Sequence, residues 1–219
     1  MSIIATVFLP EGIAMAADSR LTGMTTHADG TKDRRTLSDN SQKLFLIKNN
    51  SIGISCCGDA RIAGKSVGDF IRSFEIDKVT ENDNIKDIVR KLVDYTMDKH
   101  GKGVIYHVCG YYKDEQYVYN IKDDEIIRPN LNKDNIVAGA SWDGESNILM
   151  SLIASDNGMK IDWQFMQLKD GIDFSEFMVD LTIKTQRFGT GLATCGGPID
   201  ILVITKDYSK FIKHKILNP

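Results

Sequence analysis

The order in which strand-like and helix-like segments follow one another constrains the fold of this chain more than any single motif. Ile3 to Leu9 and Ile13 to Ala17 are apolar runs around Pro10-Glu11-Gly12, the pattern of a β-hairpin. A second hairpin is expected from Lys43–Ile47 and Ser51–Cys57, joined by the turn Lys48-Asn49-Asn50, with its second strand buried on both faces. Asp59 suits a helix start, and Ile62, Ser66, Phe70 and Phe74 follow at near-helical spacing. Beyond the polar patch Glu81-Asn82-Asp83-Asn84, the residues Ile85, Ile88, Val89, Leu92 and Val93 fall on one face of a second helix. Strand signals return at Val104–Val108, Tyr117–Tyr119 and Ile126-Ile127, helical ones at Asn147–Ala154 and Ser175–Phe188. The chain closes on strand signals at Ile199–Ile204 and Phe211–Ile216. Between the two hairpins, Thr22 to Ser41 is rich in Gly, Asp, Asn, Ser and Thr and reads as a long surface loop or a distorted hairpin.

Strands, two helices, strands, two helices and strands again do not alternate as a doubly wound parallel sheet requires. The segregation points to an α+β layer architecture with mostly antiparallel sheets and helix pairs packed on them. No repeat, low-complexity tract or linker interrupts the 219 residues, so one domain over 1–219 is expected. Hydrophobic residues make up 42% and charged residues 26%, which excludes disordered, collagenous and coiled-coil classes. Lys and Arg number 27 against 30 Asp and Glu, and this balance leaves no electrostatic footprint for nucleic acid or an anionic membrane. No apolar run has the length of a membrane span, and the first residues lack the basic stretch of a signal peptide. Cys56, Cys57, Cys109 and Cys195 show no CxxC spacing and read as reduced, buried thiols of a cytoplasmic protein. His27, His100, His107 and His214 are scattered without ligand spacing, so neither a metal nor a cofactor is expected.

Four stretches resemble the proteasome β-subunits and their bacterial ancestral-β-subunit-like relatives, in family order. They are Gly12-Ile13-Ala14-Met15-Ala16-Ala17-Asp18-Ser19-Arg20-Leu21-Thr22, Gln42-Lys43-Leu44-Phe45-Leu46-Ile47, Ser55-Cys56-Cys57-Gly58-Asp59-Ala60 and Cys195-Gly196-Gly197-Pro198-Ile199-Asp200. The resemblance implies an Ntn-hydrolase fold, a four-layer αββα sandwich. It also implies a hydroxyl nucleophile on the first mature residue that uses its own α-amino group as base. Carried over by position, the nucleophile falls on Ser2, the family aspartate on Asp18 and the lysine on Lys43. The oxyanion glycine falls on Cys56 or Cys57, just before Gly58, and the supporting serines fall near Gly139, with Ser141 two residues on, and on Cys195. The segment between Asp18 and Lys43 is about nine residues longer than the resemblance expects. Leu192 stands where the family has an aspartate, Cys195 where it has a serine, and the mechanism requires removal of Met1.

The resemblance therefore implies a peptidase that cleaves peptide or protein substrates inside a homo-oligomer, without a cofactor. An ATP-dependent unfoldase partner is left open. Two other functions share the pattern: a non-catalytic assembly subunit that keeps the fold, and an Ntn amidase for a small molecule. Arg20 is expected to pair with a carboxylate rather than to touch substrate.

Overall fold

A computed structural model describes residues 2–217; Met1, whose removal the mechanism requires, lies outside the described residues. The first hairpin is β1 (Ile3–Leu9) and β2 (Gly12–Ala17), paired from Ile4↔Ala17 to Leu9↔Gly12 around a two-residue turn. The segment expected as a loop or distorted hairpin is a two-stranded ribbon, β3 (Leu21–Thr26) and β4 (Lys32–Ser38), most of it exposed. The second hairpin follows as β5 (Leu44–Ile47) and β6 (Ile52–Gly58), then a small turn of β7 (Arg61–Ile62) and β8 (Lys65–Ser66). The helices α1 (Val67–Lys78) and α2 (Ile85–Lys99) come next, then β9 (Val104–Tyr112), β10 (Glu115–Lys122) and β11 (Glu125–Ile127). After the short pair β12 (Leu131–Asn132) and β13 (Asn135–Ile136) comes β14 (Gly139–Gly144). Next, α3 (Asn147–Leu149) runs on as a π-helical turn through Ala154, and α4 spans Leu168–Phe188. The strands β15 (Asp200–Ile204) and β16 (Ser209–Lys213) complete the order.

Two antiparallel five-stranded sheets result, one ordered β14-β1-β2-β15-β16 and the other β11-β10-β9-β6-β5. Helices α1 and α2 bury Phe70, Phe74, Ile88 and Leu92 on the outer face of the second sheet. Leu149 of α3, with Met178 and Val179 of α4, covers the outer face of the first. Ile4, Phe8, Met15, Leu44, Val118 and Leu202 fill the space between the sheets. This is the expected α+β, four-layer αββα sandwich. The sheets approach closely at Gly53, where a Cβ would come within 2.7–2.9 Å of Ile204, Leu202 and Met15. Among the described residues, no helix is long and apolar enough to cross a membrane.

Several boundaries differ from expectation, each for a local reason. The first helix begins at Val67, not near Asp59. Asp59 is held instead by its backbone N–H on Gly103 O (3.0 Å) and its carboxylate on His100 Nε2 (3.0 Å), while Ser66 caps the helix by accepting from Asp69 N (3.1 Å). The helix α4 starts seven residues early because Gln167 and Asp170 form a capping box. Its Gly171 lets the first turn press on Leu9. The strand β14 carried no apolar run to announce it: Ala140 and Trp142 face the helices, while Ser141 and Asp143 face the other sheet.

Candidate functional site

The site forms where β1 begins and β2 ends. Beyond Ala17, Asp18 turns its carboxylate inward and is 1% exposed. Its Oδ1 accepts from Ile3 N (3.0 Å) and Lys43 Nζ (2.6 Å); its Oδ2 accepts from Arg20 N (3.1 Å) and Gly196 N (3.0 Å). One carboxylate thus ties together the start of β1, the end of β2, the approach to β5 and the turn before β15. Lys43 also donates to Arg20 O at 2.7 Å. A buried pair of this kind is tolerable because every lone pair and charge has a partner. The adjoining glycine turn is fixed from the other side, Ser19 N donating to Gly196 O at 2.9 Å.

Ser2 sits one residue before Ile3 and is 7% exposed. Its carbonyl accepts from Glu145 N at 2.8 Å, just past the end of β14. That approach depends on Gly144, which has φ +102° and whose Cβ would lie 1.9 Å from Ser2 O. Ser2, Lys43, Cys57 and Gly58 line a void of about 20 Å³, the room of one water molecule. Through Ser41 and Val67 it adjoins a groove of about 840 Å³ between β5, α1 and β16, walled by Phe45, Ile71, Arg72, Glu75 and Phe211.

The β6 strand decides which backbone donor faces this void. Cys56 N donates to Lys43 O (3.0 Å) and Asp59 N to Gly103 O (3.0 Å), which fixes the alternation of the N–H groups. The Cys57 N–H therefore points into the β6–β9 ladder, at the register Cys57↔Ile105. The Gly58 N–H points the opposite way, past the end of β5 and into the void. Gly58 has φ +104°, and a Cβ there would stand 2.2 Å from Gly103 O. Both positions expected near the oxyanion, Cys57 and Gly58, line the void, with their N–H groups on opposite sides of β6.

Of the other expected residues, Cys195 stays beside the Asp18 network and Ser141 does not. Cys195 is buried beside Gly196, its N–H donating to Gln186 Oε1 at 2.8 Å. Ser141 stands away from Ser2: the β1–β14 register places it opposite Thr6, where its hydroxyl accepts from Asn120 Nδ2. Glu145 is the residue beside Ser2 that sequence reasoning missed, and its Oε1 accepts from Thr194 Oγ1 at 3.0 Å. Its only signal was its place after the unannounced strand β14. Leu192 is half exposed. Arg20 pairs with Asp39 through two bonds of 2.6 and 3.0 Å and donates to Ala193 O at 3.1 Å. This contact holds the Asp39 carboxyl below its usual range and the Arg20 guanidinium above its own. The thiols are poor nucleophiles: burial pushes Cys56 up to about 12 and holds Cys57 and Cys195 well above the ordinary value.

Comparison with known proteins corrects one expectation. No family model matches the chain and no curated protein matches it, so the sequence resemblance to proteasome β-subunits and ancestral-β-subunit-like proteins does not amount to family membership. Four short stretches, the longest of them Gly12–Thr22, are too little sequence to carry it. The likeness is one of architecture. The chain is similar to the solved structure of a Gly-1 mutant of Anbu from Hyphomicrobium sp. strain MC1, at 14% identity and a TM-score of 0.62, covering 98% of this chain and 88% of that one. At that identity the match shows a shared fold, the four-layer αββα sandwich, and nothing beyond it.

Proposed function

We propose that the chain, as one domain, is an amide hydrolase of the N-terminal-nucleophile type, acting on peptide bonds through Ser2 once Met1 is removed. The observation that carries this reading is the Asp18 carboxylate, which holds both Ile3 N and Lys43 Nζ beside Ser2. In this reading the free α-amine of Ser2, of a type with pKa near 8, takes the hydroxyl proton as Oγ attacks the scissile carbonyl. The Lys43 ammonium, fixed by Asp18 and Arg20 O, favours the deprotonated forms electrostatically. The Gly58 N–H receives the oxyanion. The amine then returns its proton to the leaving amine, and water hydrolyses the acyl-enzyme. The adjoining groove of about 840 Å³ supports a peptide as substrate, since it has room for side chains beyond the scissile bond. Cysteines kept reduced and buried support a cytoplasmic setting. The Anbu-like architecture supports assembly of several copies.

The test has two arms. Intact mass should show loss of one methionine, and an electrophilic probe should then label Ser2. Replacing Ser2 by Ala should abolish peptide hydrolysis in a folded protein; retained turnover would end the assignment. A second reading, a non-catalytic assembly subunit, draws on Leu192, an apolar residue where the resemblance has an aspartate. A mass that retains Met1, together with an oligomer that cleaves nothing, would favour it.

A further inference from the structure

We propose that His107 is a positioning residue for the Ser2 reaction, a polar pin between the sheets that sets the nucleophile against the oxyanion donor. The proposal rests on the reading of Ser2 given above. Ser2 belongs to the first sheet, at the start of β1, and the Gly58 N–H to the second, at the end of β6. Their separation is therefore set by how the sheets sit on each other. Most of the layer between them is apolar, with Ile4, Phe8, Met15 and Leu202 in contact, and such contacts have no direction.

His107 supplies direction. It lies on β9 and is completely buried, and both ring nitrogens are taken by the opposite sheet. Nδ1 meets Thr6 Oγ1 at 2.8 Å and Nε2 meets Asp143 Oδ2 at 2.9 Å. With a proton on Nε2, the ring donates to Asp143 and its Nδ1 accepts from the Thr6 hydroxyl, so both contacts are matched donor to acceptor. Asp143 stands two residues before Glu145, whose N–H holds Ser2 O. On its own sheet, His107 pairs in register with Ser55, three residues before Gly58. The imidazole thus reaches both halves of the site through a few covalent bonds of strand.

The Asp18–Lys43 pair is another directional link between the sheets, joining the end of β2 to the start of β5. It stands on the β2 side of Ser2, and the His107 link stands on the β14 side. Asn120 Nδ2 to Ser141 Oγ and Gln116 Nε2 to Leu9 O (2.9 Å) also cross between the sheets, but they meet β14 and β1 farther along from Ser2 than Asp143 does, so the His107 link is the one that bears on the site. Thr6, His107 and Asp143 also have the connectivity of a nucleophile–base–acid triad, but Thr6 is 0% exposed, so no substrate reaches its hydroxyl.

The test compares His107→Phe, which keeps volume and loses both bonds, with Thr6→Val and Thr6→Ser, which lose and keep the hydroxyl. His107→Phe should lower kcat about 100-fold, the loss that a misplacement of about 1 Å gives, with KM within about twofold of wild type. Thr6→Val should lower kcat about tenfold and Thr6→Ser should recover most of that, since serine still offers its O–H to Nδ1. Should the phenylalanine variant fail to fold, the two Thr6 variants decide. Folded variants with kcat within about threefold of wild type, or losses carried by KM, would overturn the proposal. If the wild-type protein hydrolyses no amide and Ser2 takes no label, the Ser2 reading fails by itself. The pin is then judged by a nuclear magnetic resonance signal from an exchange-protected His107 Nε2–H: its presence, lost in Asp143→Ala, supports the link, and its absence overturns it.

Discussion

Two buried aspartate–lysine pairs stand almost side by side at one end of the first sheet. Asp18 follows Ala17, and Asp200 is the register partner of Ala17 on β15. The pairs are alike in burial, at 0–5% side-chain exposure. They differ in what else they hold. Asp200 takes both its contacts from one residue, the N–H and the Nζ of Lys215, and so fastens the last turn of the chain to β15. Asp18 takes donors from four separate segments, and its lysine lines the void next to Ser2. A buried ion pair by itself therefore does not single out a site; the convergence of several backbone segments on one carboxylate, facing a void, is what supports the proposed one.

The largest effect should come from breaking each pair in turn. Lys43→Ala leaves Asp18 as an uncompensated buried charge and is expected to cost about 3–5 kcal/mol. Hydrolysis per folded molecule should fall about 1,000-fold, within the range that acid–base machinery supplies. Lys215→Ala should cost a similar amount of stability and leave the turnover of the folded fraction as it was. Denaturant unfolding and steady-state hydrolysis on the same preparations check both. Equal losses of activity would erase the distinction between the pairs.

Removing both partners sharpens it. Replacing Asp200 and Lys215 together by Leu and Met should return stability to within about 1–3 kcal/mol of wild type, because no charge is left unpaired and only the Lys215 N–H loses its acceptor. The same exchange at Asp18 and Lys43 should not recover, since the N–H groups of Ile3, Arg20 and Gly196 lose their acceptor, at about 1–3 kcal/mol for each one buried. Melting curves of the two double variants settle the point, and equal recovery would make the four-way carboxylate ordinary.

How far the sequence discloses this arrangement depends on the kind of signal. Apolar periodicity marked β1, β2, β5, β6, β9, α2 and β15 because each buries a continuous run against a layer. It was silent on β14, whose inward residues are Ser141 and Asp143, and hence on Glu145 beyond it. Asp18 and Lys43 were singled out by the family resemblance and not by periodicity, and their meeting across 25 residues of chain is a product of sheet stacking. The choice of Gly58 over Cys57 depends on the direction of N–H groups along β6, which residue identity does not encode. Ser141 was misplaced for the same reason: its register opposite Thr6 is a property of β1–β14 pairing.

Gly58→Ala tests that backbone directly. A methyl group at φ +104°, 2.2 Å from Gly103 O, must shift the turn and should cost about 1–3 kcal/mol. It should also lower kcat by about 100-fold, the worth of one oxyanion donor. Cys57→Ala, whose side chain only walls the void, should lower kcat far less. Comparable losses from the two substitutions would return the donor to Cys57.

The smallest effect belongs to the Arg20–Asp39 clamp, which braces the Asp18 region from outside. The hydrogen bond from Arg20 lowers the Asp39 pKa in the folded state, so the clamp's contribution is complete above the ordinary carboxyl pKa and disappears as pH falls through the lowered folded value. Asp39 is 42% exposed, and solvent screening limits the pair to about 0.5 kcal/mol. Wild type should then melt about 1–2 °C above Asp39→Asn at neutral pH. The gap should hold down to about pH 5 and close only as pH falls below the ordinary carboxyl pKa, where Asp39 takes up its proton in the folded protein. A gap that persists at pH 2 would mean that Asp39 acts through its shape and amide-compatible bonds, and that the brace on the Asp18 network is steric rather than ionic.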